Sequence, residues 1–276
     1  MSRPVRAALL GCVALFLSCS SKETTSSSAS SSGASGTTPP NAQPPVTTLF
    51  SKAIESVTVE IAYAAGAEPY AGTLKDFGDP WSLFRVNALS VFDGKKKVTV
   101  PTTLARMAKL EDVPAKNFTN KDLLDLAAAH RTEPQYANAV AFYVVFVNGY
   151  WVDDAAAVRK DILGVSIADT GVIGMFKPAI ASAGNSPPQL VEQLTLIHHF
   201  GHAVGFVDNG VPVEAGNRAH VDPENAHHCT NKQCAMSFAT ETPAGASAFA
   251  GTVRSPQAVL IGQECLSDAR ILENKQ

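Results

Sequence analysis

The chain has 276 residues, 45% of them hydrophobic and 17% charged, with a formal net charge of −3. This is the balance of an ordinary soluble domain or pair of domains. Beyond Lys95-Lys96-Lys97 it has no basic run, which excludes nucleic acid as a partner, and the triplet itself is expected to solvate a turn.

Residues 1–18 read as a secretory signal, because Arg3 and Arg6 precede an apolar run from Ala7 to Leu17 that is too short to span a bilayer. The run ends at Ser18-Cys19, and that junction resembles a bacterial lipobox. The resemblance implies that Cys19 becomes the lipidated first residue of the mature chain, anchoring it in a membrane. Leu9-Leu10-Gly11-Cys12 is a second box with too little apolar sequence before it. Ser20 follows Cys19 where an aspartate would retain the chain elsewhere, so the implied destination is the outer membrane of a Gram-negative cell envelope. Loss of Arg3 and Arg6 with the leader takes the charge from −3 to −5. Residues 19–47 are rich in Ser, Thr and Pro and cannot bury a core, so they are expected to act as a flexible tether to a folded domain over 48–276.

Within that domain, alternation predicts a first strand from Val57 to Tyr63. A helix follows near Trp81 to Phe92, with Leu83, Phe84 and Leu89 at helical offsets, and then a short strand at Val98 to Val100. Thr119 is expected to cap another helix whose Leu123, Leu124, Leu126 and Ala127 face inward. Ala139 to Val147 is a long apolar strand. Leu163 to Phe176 reads as two short strands broken around Asp169-Thr170-Gly171. A last helix is expected from about Ser255 to Leu272.

The richest segment is LTLIHHFGHAVGF, Leu194 to Phe206. Ser186, Pro187, Pro188 and Gln189 have the spacing of a capping box with proline in the first turn. Leu190, Val191, Leu194, Ile197 and Val204 supply an apolar stripe, and Gly205 suits the stop. On such a helix His198 and His202 share one face, one turn apart, which is the spacing of a zinc-binding pair. Gly201 in mid-helix costs about 1 kcal/mol against alanine, and a close approach of another segment would be a reason for it. Downstream lies HHCTNKQCAMSF, with His227, His228, Cys229, Cys234 and Met236.

Together these two segments resemble the metzincin zinc peptidases, and within them the archaemetzincin branch and bacterial membrane-anchored metalloprotease lipoproteins. The matching motifs run from Leu194 to Phe238. The resemblance implies an α+β fold of zincin type, with a mixed sheet, a zinc-binding helix, a methionine turn and a C-terminal helix. It implies zinc held by His198, His202 and His228, and Met236 as the turn methionine. Peptide or protein would be the substrate or ligand. The strand before the zinc helix, Thr170 to Met175, would edge the cleft and pair with extended peptide.

Two departures matter. The third ligand normally stands three residues after the glycine, which is Asp208 here; His228 keeps the register with Cys229, and Asp208 and His220 remain alternatives, since carboxylate and imidazole both bind zinc. The position after the first histidine carries His199 where the family has a glutamate. That glutamate moves a proton from the attacking water to the leaving amine. Glu192 lies two turns away on the same helix and is no substitute. His199 is therefore the candidate for the catalytic position.

Five cysteines are present. Cys12 leaves with the leader and Cys19 is lipidated, which leaves Cys229, Cys234 and Cys265. In the archaemetzincin pattern a second, structural zinc takes C-x4-C and a later C-x2-C, but here the later pair reads Gly262-x2-Cys265. One disulfide with a leftover thiol is the expected outcome outside the cytosol, and a histidine completing a Cys₃His zinc site is the alternative. Two functions follow: a membrane-anchored zinc peptidase, weakened or inactive because His199 replaces glutamate, or a non-catalytic relative that holds peptide without cutting it.

Overall fold

The computed structural model of the chain describes residues 43–133 and 135–275. The leader, the two candidate lipobox cysteines and most of the tether lie outside the described residues. Among those described, no helix is long and apolar enough to cross a membrane.

The sheet is built on β1 (Ser56–Ala64) and β4 (Ala139–Val147), which pair in parallel over eight residues. Every residue of β4 after Ala139 is buried, as befits a central parallel strand covered on both faces. On the far side of β1 lie β2 (Lys97–Thr99) and β3 (Ala108–Leu110), both parallel to it. A separate two-stranded ribbon, β5 (Trp151–Val152) and β6 (Val158–Arg159), stands outside this sheet. On the other side of β4 come β7 (Gly164–Ile167) and β8 (Val172–Phe176), a hairpin in which β8 is parallel to β4 and β7 is antiparallel to β8. The order β2-β1-β4-β8-β7 makes β7 an edge. Thr170 to Met175 was expected to form that edge, but β8 is interior, because the hairpin adds one more strand beyond it.

Helices cover both faces of the sheet. A short α1 (Val46–Leu49) precedes β1, and α2 (Trp81–Val91) packs against the long α5 (Pro188–Ala203). Phe200 of α5 meets Phe84 edge-on at 5.5 Å and Phe142 of β4 at 5.0 Å, joining helix to helix and helix to sheet. On the opposite face lies α3 (Asn120–His130), whose Leu123 fills the space that a side chain at Gly174 would take. Thr119 caps α3 as expected, with Asp122 completing a capping box. Leu123 and Ala127 are buried, while Leu124 and Leu126 are only half-buried. Neither α4 (Lys177–Ala181) nor α6 (Pro243–Ala250) was legible in the sequence; the latter is capped by Thr242.

The C-terminal helix, α7 (Gln263–Asn274), starts eight residues later than expected. The stretch ahead of it is irregular because buried Asn87 pins it, accepting from the N–H groups of Leu260 and Ile261 and donating to the Ala258 carbonyl. Nor is the lysine triplet merely solvated: Lys96 is buried and its Nζ donates to the carbonyls of Ser51 and Ile54 at 2.7 and 2.8 Å. The packed body also reaches back past residue 48, since the Gln43 amide N–H donates to the Asp169 carbonyl.

Candidate metal centre

Helix α5 is buried on nearly every side from Leu190 to Gly201. Its start lacks the expected cap: Pro187 takes the N-cap place, and the Ser186 hydroxyl instead donates to the Ser247 carbonyl, tying α5 to α6. Its end is a Schellman turn. The N–H of Gly205, at φ +88°, donates to the His202 carbonyl, and that of Phe206 to the Gly201 carbonyl. Gly201 answers its own cost, because a Cβ there would lie 2.2 Å from the Met236 sulfur. The methionine turn thus seats directly beneath the histidine-bearing helix.

That turn also brings up the third histidine. The Cys229 N–H donates to the Met236 carbonyl, and Val221 bridges to Cys229, so the loop from Asp222 to His228 is closed over the end of α5. Three Nε2 atoms and one carboxylate oxygen then converge. His202 Nε2 lies 3.0 Å from His198 Nε2. Glu241 Oε1 lies 2.7 Å from His198 Nε2, 3.4 Å from His202 Nε2 and 3.2 Å from His228 Nε2. Four donors at about 2.0–2.1 Å from a tetrahedral zinc stand about 3.3 Å apart, so the set fits that ion. The outer contacts suit it too: His198 Nδ1 donates toward the Ala235 carbonyl and Thr240 Oγ1, and His228 Nδ1 toward the Ala226 carbonyl. Each ring therefore turns its Nε2 inward.

His198, His202 and His228 come together here. Asp208 does not; it is exposed and pairs with Arg218 at 3.1 Å. Glu192 is buried in an ion pair with Lys177 and accepts from the Tyr70 N–H; burial pushes its carboxyl up to about 7 against the pull of Lys177. The carboxylate that does reach the centre, Glu241, was not legible in the sequence. It sits at the end of a 3₁₀ turn, Phe238–Glu241, five residues after Met236, and no spacing rule marks it.

His199 lies beside the centre rather than in it. Its ring packs against Gly164 of β7, where a Cβ would come within 2.6 Å, and its Nδ1 has no hydrogen-bond partner among the described residues. Burial draws its pKa down to about 3, and burial followed by the neighbouring His198 draws that of His202 down to about 4. Burial alone would raise Glu241, but the three facing histidines hold its carboxyl far below the usual range. A testable consequence follows for the metal-free protein. His199 takes up a proton near pH 6.5 when unfolded and near 3 when folded. Between those values the unfolded chain binds more protons, so stability falls as pH falls. Urea titrations should show up to about 1.4 kcal/mol lost per pH unit from this group between about pH 6 and 4, and His199→Gln should remove that part of the slope.

The centre opens on a cleft of about 400 Å³. Gly164, Val165 and Ser166 of edge strand β7 form one wall, and His199, His202 and His228 line its floor. An exposed strand edge beside the ligands offers unpaired backbone groups to an extended chain.

Behind Met236 is a second cluster. Cys229 Sγ and Cys265 Sγ lie 3.6 and 3.8 Å from His220 Nδ1, and Cys234 Sγ lies 3.8 Å from Cys265 Sγ. The expected disulfide is not formed; all three thiols are free and buried, with Cys229 and Cys265 against one imidazole and Cys234 against Cys265. His220, an alternative for the cleft, belongs here. Its Nε2 donates to Asp268 at 2.8 Å, which with the Cys229 contact raises its pKa to about 9 and turns Nδ1 toward the sulfurs. Hydrogen bonds from Cys229 and Cys265 draw the Cys234 thiol down to about 4. His220, Cys229 and Cys265 offer one nitrogen and two sulfurs close enough together to hold a metal ion, with Cys234 beside them.

No family model matches the sequence, and no curated protein matches it either. Among solved structures, the crystal structure of archaemetzincin from Methanopyrus kandleri is similar to this chain, at 12% identity and a TM-score of 0.39, covering 80% of this chain and 97% of that one. The α+β architecture itself is plain in the chain's own topology: a mixed sheet, a long histidine-bearing helix, a methionine turn and a closing helix.

Proposed function

We propose that this protein is a zinc-dependent peptidase of metzincin type with weakened hydrolytic power. One observation carries the reading: the inward Nε2 atoms of His198, His202 and His228 meet together, and the last two residues line an open cleft bordered by edge strand β7. A metal held only for structure has no need of a cleft. Bound there, zinc would act as a Lewis acid on a peptide carbonyl. The chain's part is to hold extended peptide along β7 and to present the reacting bond to the three histidines. His199 occupies the place of the proton-moving residue, but a buried imidazole with a pKa near 3 takes up a proton poorly at neutral pH. That observation favours, as a second reading, a protein that binds peptide without cutting it.

The mature chain should bind zinc at the cleft, lose it in His202→Ala and cleave unstructured peptides slowly. Metal content and peptide cleavage, measured together, separate the readings. Peptide binding without cleavage selects the second, and a His202→Ala variant with unchanged metal content sinks both.

We further infer an outer-membrane lipoprotein, from the Ser18-Cys19 junction and the Ser, Thr and Pro-rich stretch after it. Fatty-acid labelling in a Gram-negative host should vanish in Cys19→Ala and persist in Cys12→Ala. The reverse pattern would move the mature terminus.

A further inference from the structure

We infer that Glu241 closes the cleft centre as a fourth protein ligand, so that the metal position has no open coordination place until this carboxylate is displaced. The inference rests on the zinc-binding reading above and adds a residue to it.

One oxygen, Oε1, is the near neighbour of all three Nε2 atoms, at 2.7, 3.2 and 3.4 Å, so it would join them in holding an ion. A carboxylate acting as general base would stand farther out, with a water between it and the ligand set.

His198 and His228 hold their Nδ1 atoms against the Ala235 and Ala226 carbonyls, which aims both Nε2 atoms at Glu241 Oε1. A divalent ion among these groups would be held by all of them at once.

Thr240, next to Glu241 and buried, bonds through Oγ1 to the Ala235 and Ser237 carbonyls and to His198 Nδ1. The turn that orients the first histidine therefore also carries the carboxylate, and Pro243 begins α6 just beyond it. Zinc sites with four protein donors are structural, whereas catalytic ones keep a position free. Glu241 makes this a closed centre in an open cleft.

Cobalt(II) in place of zinc reports the coordination directly, and azide probes for a free position. The loaded wild-type chain should show a four-coordinate visible spectrum that azide leaves unchanged. Glu241→Ala should bind cobalt at least about 10-fold more weakly, and azide should shift its spectrum. The closed thiolate cluster adds the same background to both. Glu241→Gln, of nearly the same shape, should behave like the alanine variant and guards against a folding defect, checked by circular dichroism. Azide shifting the wild-type spectrum, or either variant keeping wild-type affinity and spectrum, would overturn the inference while leaving the metal centre intact. A wild-type spectrum identical to that of His202→Ala would overturn both.

Discussion

Cys265→Ser is expected to lower the zinc content of the purified protein from two ions to one and its melting temperature by on the order of 10 °C. The reason is the position of the cluster. Cys229 stands where the chain turns toward Met236, His220 ends the 3₁₀ turn Ala215–His220, and Cys265 stands on α7, so one ion would tie three separate segments. Removing one ligand from a buried set leaves thiols and an imidazole desolvated around a lost cation. Structural zinc supplies about 10–16 kcal/mol of apparent folding energy in small fingers. In a domain with its own core, a loss of about 3 kcal/mol or more is a modest share of that, and for this length it corresponds to about 10 °C. Because Met236 hangs from the same turn, zinc at the cleft should also weaken. Thiol titration of the denatured native protein decides between cluster and disulfide. Three reactive thiols in the metal-stripped Cys229, Cys234 and Cys265 set are expected; one thiol and a single zinc would restore the disulfide.

What the sequence disclosed and what it hid follow one physical line. Local rules were legible: the alternation and apolar run that make β1 and β4, the Thr119 cap, and the one-turn spacing of His198 and His202. Features settled by distant partners were not. The Ser186 hydroxyl leaves its cap for a carbonyl of α6, and Asn87 straightens a segment some 170 residues later that local pattern reads as helix. The edge of the cleft passed from β8 to β7 because strand order is a tertiary fact. Glu241 and His220 were hidden for the same reason. Each ends a 3₁₀ turn that tertiary folding sets beside its partners, and nothing in the spacing of TETP or RAHV records that approach.

His199→Glu should raise peptide hydrolysis by about 10²-fold or more over the natural chain, the lower range of what a positioned general base contributes. The scaffold around the position is complete: the helix, the converging histidines, the methionine beneath and the strand edge alongside. His199 is not among the converging donors, so zinc content should hardly change. Its imidazole is buried against Gly164 of β7, and both residues line the cleft, so a glutamate at this position would start from the cleft wall. Glu241 sets the size of the effect. While it fills the fourth position, a new base has no water to act upon until the carboxylate swings away, so the gain should be larger in the His199→Glu, Glu241→Ala double variant than in His199→Glu alone. The two sites touch the same ligands, and their effects should therefore fail to add. Rates at saturating zinc on one unstructured peptide, with metal content and circular dichroism for each variant, measure this coupling. If the natural chain already cleaves efficiently and His199→Glu slows it, then the imidazole itself serves the reaction and the weakened-peptidase reading is wrong.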